Sequence, residues 1–184
     1  MKGLLLILVL VLALALTAVG QESRREITNS AANPADDAKG LSDKVADVYA
    51  VQTQFDRVLV LRFKFDTDLL AGLQKMVKQE KITNAIILSG IGSVRGYHVH
   101  QVSNRTFPSK NMFVKNPTEP ADITNVSGFI ANGVLHPHVT LATPDKAFGG
   151  HLEPGTNVFT FAVVTIGVLK DGADLSHLDD KSYR

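Results

Sequence analysis

Four strand-like segments follow one another between Asp122 and Leu169 with nothing helical between them, and this succession most limits the fold. They cover residues 122–132, 133–142, 148–152 and 157–169. Each is short, rich in Val, Ile, Phe and Thr, and bounded by turn residues, the pattern of antiparallel strands. Asn132-Gly133 joins the first two, and this dipeptide suits the tightest hairpin turn because both residues tolerate positive φ. Upstream, residues 57–65 read as a strand with Arg62 and Lys64 alternating outward, residues 84–89 as a second, and residues 96–102 as a third. Residues 45–51 read as a short lead-in strand. Leu69, Leu70, Leu73, Met76 and Val77 recur at helical spacing and predict one buried stripe. Asp66 or Thr67 is the expected cap of that helix, and Lys75, Lys78 and Lys81 sit toward its C-terminus, where positive charge suits the helix dipole. Strands, one helix, then a run of strands predict a single α+β domain, a predominantly antiparallel sheet with one main amphipathic helix.

Two stretches read as interruptions. Gly90-Ile91-Gly92-Ser93 follows a strand, but it lacks the third glycine of a dinucleotide loop and the Gly-Lys-Ser/Thr of a phosphate loop. The glycines are read as a bend or bulge between strands. Residues 105–120 contain Pro108, Pro117 and Pro120 and read as a long loop of the kind that often carries binding or assembly.

The chemistry-bearing residues lie in His136-Pro137-His138-Val139-Thr140 and Gly149-Gly150-His151-Leu152. Alternation along a strand puts Leu135, Pro137, Val139 and Leu141 on one face and His136, His138 and Thr140 on the other. The apolar set belongs to the core, so the histidines face away from it. Thr143-Pro144-Asp145-Lys146 reads as a β-turn. With Pro144 and Asp145 at its centre, His138 is expected opposite His151 and His136 opposite Glu153. Three convergent imidazoles make a metal site with one coordination position open. Cysteine is absent from the chain, so disulfides are excluded and any metal must be held by His, Asp or Glu. Gly149 and Gly150 imply a close approach to the backbone, by a partner strand or by the site itself. Glu153, Asp122 and His98 are candidate general bases beside a metal-bound water. Tyr97-His98-Val99-His100 repeats the His-x-His pattern, so His98 and His100 share a face and are candidates for an acid/base group or a second ion.

Four segments in order, residues 85–93, 122–128, 136–141 and 149–152, resemble the plant and prokaryote conserved (PPC) domain family. The likeness spans about residues 57–169. It implies an antiparallel sheet flanked by helix and assembled as a homotrimer. It also implies a metal, usually zinc or a similar divalent ion, on His136, His138 and His151. Asp122 stands where the family often has glutamate. Plant members join the domain to an Arg-Gly-Arg-Pro segment for the DNA minor groove; this chain has none.

The flanks and the charge set the context. Met1-Lys2, an apolar run from Leu4 to Ala15 and small residues at Ala18 and Gly20 predict a signal peptide over residues 1–20. The competing reading is an uncleaved membrane anchor. No cysteine stands at the cleavage point, which excludes a lipoprotein. Cleavage predicts a secreted or periplasmic protein with no membrane attachment. Residues 21–50 read as a flexible linker, 51–170 as the PPC-like domain and 171–184 as a loose polar tail. Asn104-Arg-Thr106 and Asn125-Val-Ser127 are sequons that matter only in a eukaryotic secretory pathway. Nineteen Lys plus Arg against eighteen Asp plus Glu leave no electrostatic footprint for nucleic acid. Two functions are therefore expected: a metal-dependent enzyme on a small molecule, or a trimeric binding and scaffolding module with a structural histidine cluster. A cupin-like metalloenzyme is disfavoured, because Leu141-Ala142-Thr143 stands where that barrel wants a glutamate.

Overall fold

The structure, a computed structural model, describes residues 24–28, 44–104 and 108–180. The expected signal peptide lies outside the described residues; among them, no helix is long and apolar enough to cross a membrane. The elements run β1 (Arg24–Thr28), β2 (Phe55–Phe63), α1 (Leu69–Gln79), β3 (Ala85–Val102), β4 (Asn111–Asn116), β5 (Ala121–Ala131), β6 (Val134–Ala142), β7 (Ala147–Leu152) and β8 (Asn157–Leu169). The strands form an antiparallel sheet, so the α+β reading holds.

The long strand β3 organises the sheet. Its first half pairs with β5 on one side and β8 on the other. Its second half pairs with β4 along Tyr97–Val102 and with β7 at Val99 and His100. Because β5, β6 and β7 also pair in sequence, β3, β5, β6 and β7 close into a circuit. Their inward side chains, among them Val94, Val99, Val126, Val139, Leu141 and Leu152, are fully or almost fully buried. Helix α1 buries Leu69, Leu70, Leu73 and Val77 in the same core. Each such side chain, moved fully out of water, contributes about 1.5–3 kcal/mol before entropic costs.

Several expectations need correction. The helix cap is Asp68, whose Oδ1 accepts from the Ala71 N–H at 2.8 Å and whose Oδ2 accepts from Gly155 N at 2.6 Å. Asp66 instead sits in the preceding turn with φ of 62°. Residues 45–51 form no strand, and Val48 there is exposed. The Gly90–Ser93 stretch does not end a strand, because β3 runs through it with shifts of register against β8. Residues 105–120 contain β4, whose Met112-Phe113-Val114 pairs with β3 while the prolines stay outside the strand. The turn after β4 is ordered by Asn116, whose Oδ1 accepts from the N–H groups of Thr118 and Glu119. Glu119 in turn accepts from the Tyr97 hydroxyl at 2.5 Å and the Asn116 amide at 2.9 Å. Within the stretch read as a linker, β1 pairs with the free edge of β4. The tail is not wholly loose: Ala173 and Leu175 are buried with Leu169 against Val51, Ile86 and Ala131.

The β6–β7 hairpin has the predicted register, with His138 opposite His151 and Ala142 opposite Ala147. Asn132 and Gly133 take φ of 51° and 76°, as the tight β5–β6 hairpin requires. Strand β7 is held between β6 and β3 by Gly149 and Gly150. A Cβ on Gly149 would strike the Val139 carbonyl oxygen of β6, and one on Gly150 would strike the His100 carbonyl oxygen of β3. Gly150→Ala is expected to push β7 off β3 and to cost about 1–3 kcal/mol, the range for overpacking a filled site. Urea denaturation measures it; wild-type stability would refute the close approach as a constraint.

Candidate metal centre

Directly paired residues on neighbouring strands point to the same face. Val58, Gly167, Ile86, Phe129 and His136 are paired in succession from β2 through β8, β3 and β5 to β6. That row lies on the sheet face opposite the core. The same face carries the pairs Ser127–His138, His138–His151 and His151–His100. The alternation along β6 thus turns both its histidines away from the core, with Pro137, Val139 and Leu141 buried between and beside them.

The cluster holds four imidazoles. The Nε2 atoms of His136 and His138 are 3.3 Å apart, and the two rings are nearly parallel. His151 stands edge-on to both, with ring centroids 4.9 Å from His136 and 5.6 Å from His138. On its other side His151 stacks on His100 at 4.6 Å. Phe129 stacks on His136 at 5.0 Å, and Phe113 packs against His100 at 5.1 Å, so aromatic walls bound the cluster.

Glu153 does not pair with His136 as the hairpin register suggested. Strand β7 ends at Leu152, and the Glu153 N–H donates to the His98 carbonyl of β3. The turn swings its carboxylate to the far side of His151, where Oε1 lies 2.5 Å from His100 Nδ1 and 3.3 Å from His151 Nδ1. The first contact is a hydrogen bond. The second is off the line an N–H needs, so His151 Nδ1, closed off from solvent, has no hydrogen-bond partner. His100, His151 and Glu153 each offer a ligand atom within 4.8 Å of the others. This trio and the His136–His138 pair both meet at His151.

The remaining candidates are engaged elsewhere. His98 Nδ1 contacts the Pro154 carbonyl at 2.9 Å and belongs to the β7–β8 turn. Asp122 pairs with Ser93 and Ala142, four residues along β6 from His138, or about 13 Å at the usual rise of a strand. It lines a shallow cavity with Pro120, Thr143 and Pro144 instead. One contributor had no signal in the sequence: Asp179, in the tail, whose Oδ2 is 3.0 Å from His136 Nδ1.

The donor set fits a metal ion. Two nitrogens bound to a tetrahedral zinc at about 2.0–2.1 Å lie roughly 3.3–3.4 Å from each other, close to the separation of the His136 and His138 Nε2 atoms. His151 Nδ1 is buried without a well-formed hydrogen bond and faces the Glu153 carboxylate, so as a donor atom it belongs with His100 and Glu153. Electrostatics favour neutral, ligating imidazoles. Burial lowers the pKa of His138, and proximity to His136, His151 and His100 lowers it further. Burial likewise lowers that of His151, with His100 and His136 adding to it and Glu153 opposing. Both folded pKa values lie below the ordinary 6.5, so below that pH the unfolded chain binds more protons than the folded one. The stability of chelator-treated protein is therefore expected to fall as pH drops through 6.5 toward 5. In His138→Gln this slope is expected to be shallower, as measured by thermal melts across that range.

Comparison with known proteins places the fold. A search of curated proteins finds no match. Among solved structures, a metal-containing protein from Archaeoglobus fulgidus is similar with a TM-score of 0.57 at 22% identity, covering 68% of this chain and 89% of that one. A plant- and prokaryote-conserved (PPC) protein from Pyrococcus horikoshii gives 0.56 at 22% identity, over 68% and 87% of the two chains. A hypothetical protein from Salmonella enterica gives 0.55 at 21% identity, over 66% and 81%. Identities this low speak for the fold alone. The family model of the Plants and Prokaryotes Conserved (PCC) domain matches residues 50–170, which carry the whole histidine cluster except the tail's Asp179, and the chain belongs to that family.

Proposed function

We propose that this chain is an exported, trimeric metal-binding protein whose zinc-class ion is held by His136, His138 and His151 on the open face of the sheet. The observation that carries the reading is the ring contact of His136, His138 and His151, with the Nε2 atoms of His136 and His138 at the spacing of a tetrahedral edge. The metal-containing relative from Archaeoglobus fulgidus supports it by its name and fold. His136, His138 and His151 would hold the ion, which would supply Lewis acidity there.

The chain's own groups suit chemistry on a small molecule. Glu153 is the carboxylate in contact with the histidines, and its Oε1 would serve as a proton acceptor on the His100 side of the cluster. His100 hydrogen-bonds that same oxygen and holds the carboxylate in place. Phe113 and Phe129 supply apolar walls. Asp122 is too far from the cluster to share this role, and His98 Nδ1 is engaged by the Pro154 carbonyl.

Assembly has its own support. Val58, Val60, Leu88, Ile91, Phe159 and Phe161 are exposed on β2, β3 and β8. Val58 belongs to the cross-strand row that ends at His136, so this apolar surface and the histidines share one face. Large exposed apolar patches mark interaction sites, and here the partner is a second and third copy of the chain. Export rests on the N-terminal sequence pattern.

Elemental analysis of protein purified without chelator is expected to find about one zinc-class ion per chain, the stoichiometry of one mononuclear site. His138→Ala is expected to lose the ion. Loss in His100→Ala with retention in His138→Ala would move the ion to the His100–His151–Glu153 trio. A metal-free wild type whose melting temperature ignores added zinc would overturn the reading. Sedimentation at micromolar concentration is expected to show a trimer, and Val60→Asp a folded monomer; a monomeric wild type would refute the assembly.

A further inference from the structure

We infer that the C-terminal tail is a strap that completes the metal centre, with Asp179 as a positioning residue for His136; this rests on the metal reading proposed above. The tail leaves β8 and lays Ala173 and Leu175 over Ile86 and Ala131, on the same face as the histidines. The Asn84 side-chain amide donates to the Ala173 carbonyl at 2.7 Å, and the Asp174 carboxylate accepts from the Ser176 N–H at 2.9 Å and shapes the turn that follows. These anchors bring the Asp179 carboxylate to 3.0 Å from His136 Nδ1.

An imidazole whose Nδ1–H donates to a carboxylate carries its lone pair on Nε2. In His136 that is the nitrogen 3.3 Å from His138 Nε2. The carboxylate therefore selects the ligating tautomer, holds the ring against rotation and makes Nε2 a stronger donor. Such partners typically alter metal affinity 10–100-fold. Asp179 lies beyond residues 50–170, the part that matches the family model, so this contribution comes from the chain's own extension. The coupling is reciprocal. If the docked tail strengthens metal binding, the metal strengthens tail docking by the same factor. The site is thereby tied to the state of the C-terminus.

The side chain of Asp179 is about half exposed, at 46%, so replacing it leaves the core intact. The test uses the full chain, zinc alone as ligand, and competition with a chromogenic chelator. Asp179→Ala is expected to bind zinc about 10-fold more weakly than wild type, with partial rescue in Asp179→Glu. Amide hydrogen exchange over residues 173–180 supplies a second readout. Zinc is expected to slow it in wild type and to leave it unchanged in Asp179→Ala. Equal zinc affinity of wild type and Asp179→Ala, or tail exchange indifferent to zinc in wild type, overturns the strap while leaving the metal centre standing. A wild type that binds no zinc overturns both.

Discussion

The site depends on a strand with no side chains where it is squeezed. At Gly149 and Gly150, β7 lies against β6 on one side and β3 on the other, each glycine facing a carbonyl oxygen that a Cβ would strike. This close fit sets His151 directly between His138 and His100. It also closes the circuit β3–β5–β6–β7. Any side chain at either glycine would open the seam that brings groups from three strands to one point.

The two faces of that sheet divide the work. The inner face is filled by branched aliphatic side chains and α1, which fixes the strands and leaves little freedom to the backbone beneath the histidines. The outer face collects what the core rejects: imidazoles, a carboxylate beside them and an apolar surface on β2, β3 and β8. Burial and the neighbouring imidazoles hold His138 and His151 toward the neutral, donating form. The carboxylates of Glu153 and Asp179 flank the cluster from either side.

Much of this was legible from local pattern. The apolar alternation of Leu135–Leu141 assigned His136 and His138 to the outer face. The Pro144-Asp145 turn set the pairing of His138 with His151, because a hairpin's register follows from its turn. The glycine pair signalled close approach. The strand β4 was hidden because prolines flank a short apolar run, and the β3 glycines resembled punctuation because a close neighbour and a strand end leave the same trace. The helix cap was missed by one position, since Asp66, Thr67 and Asp68 are all suitable cap types and only the backbone decides among them.

What the sequence determined by itself is therefore what short-range periodicity controls: element type, hairpin register and the face each histidine takes. The tertiary structure alone decided which strands meet. It brought His100 to His151 through the β3–β7 pairing, turned Glu153 to the far side of His151 instead of toward His136, and returned Asp179 to His136 from 43 residues along the chain. Such contacts come from chain closure and packing between distant segments, and no local pattern encodes where a polar tail held by Ala173 and Leu175 will come to rest.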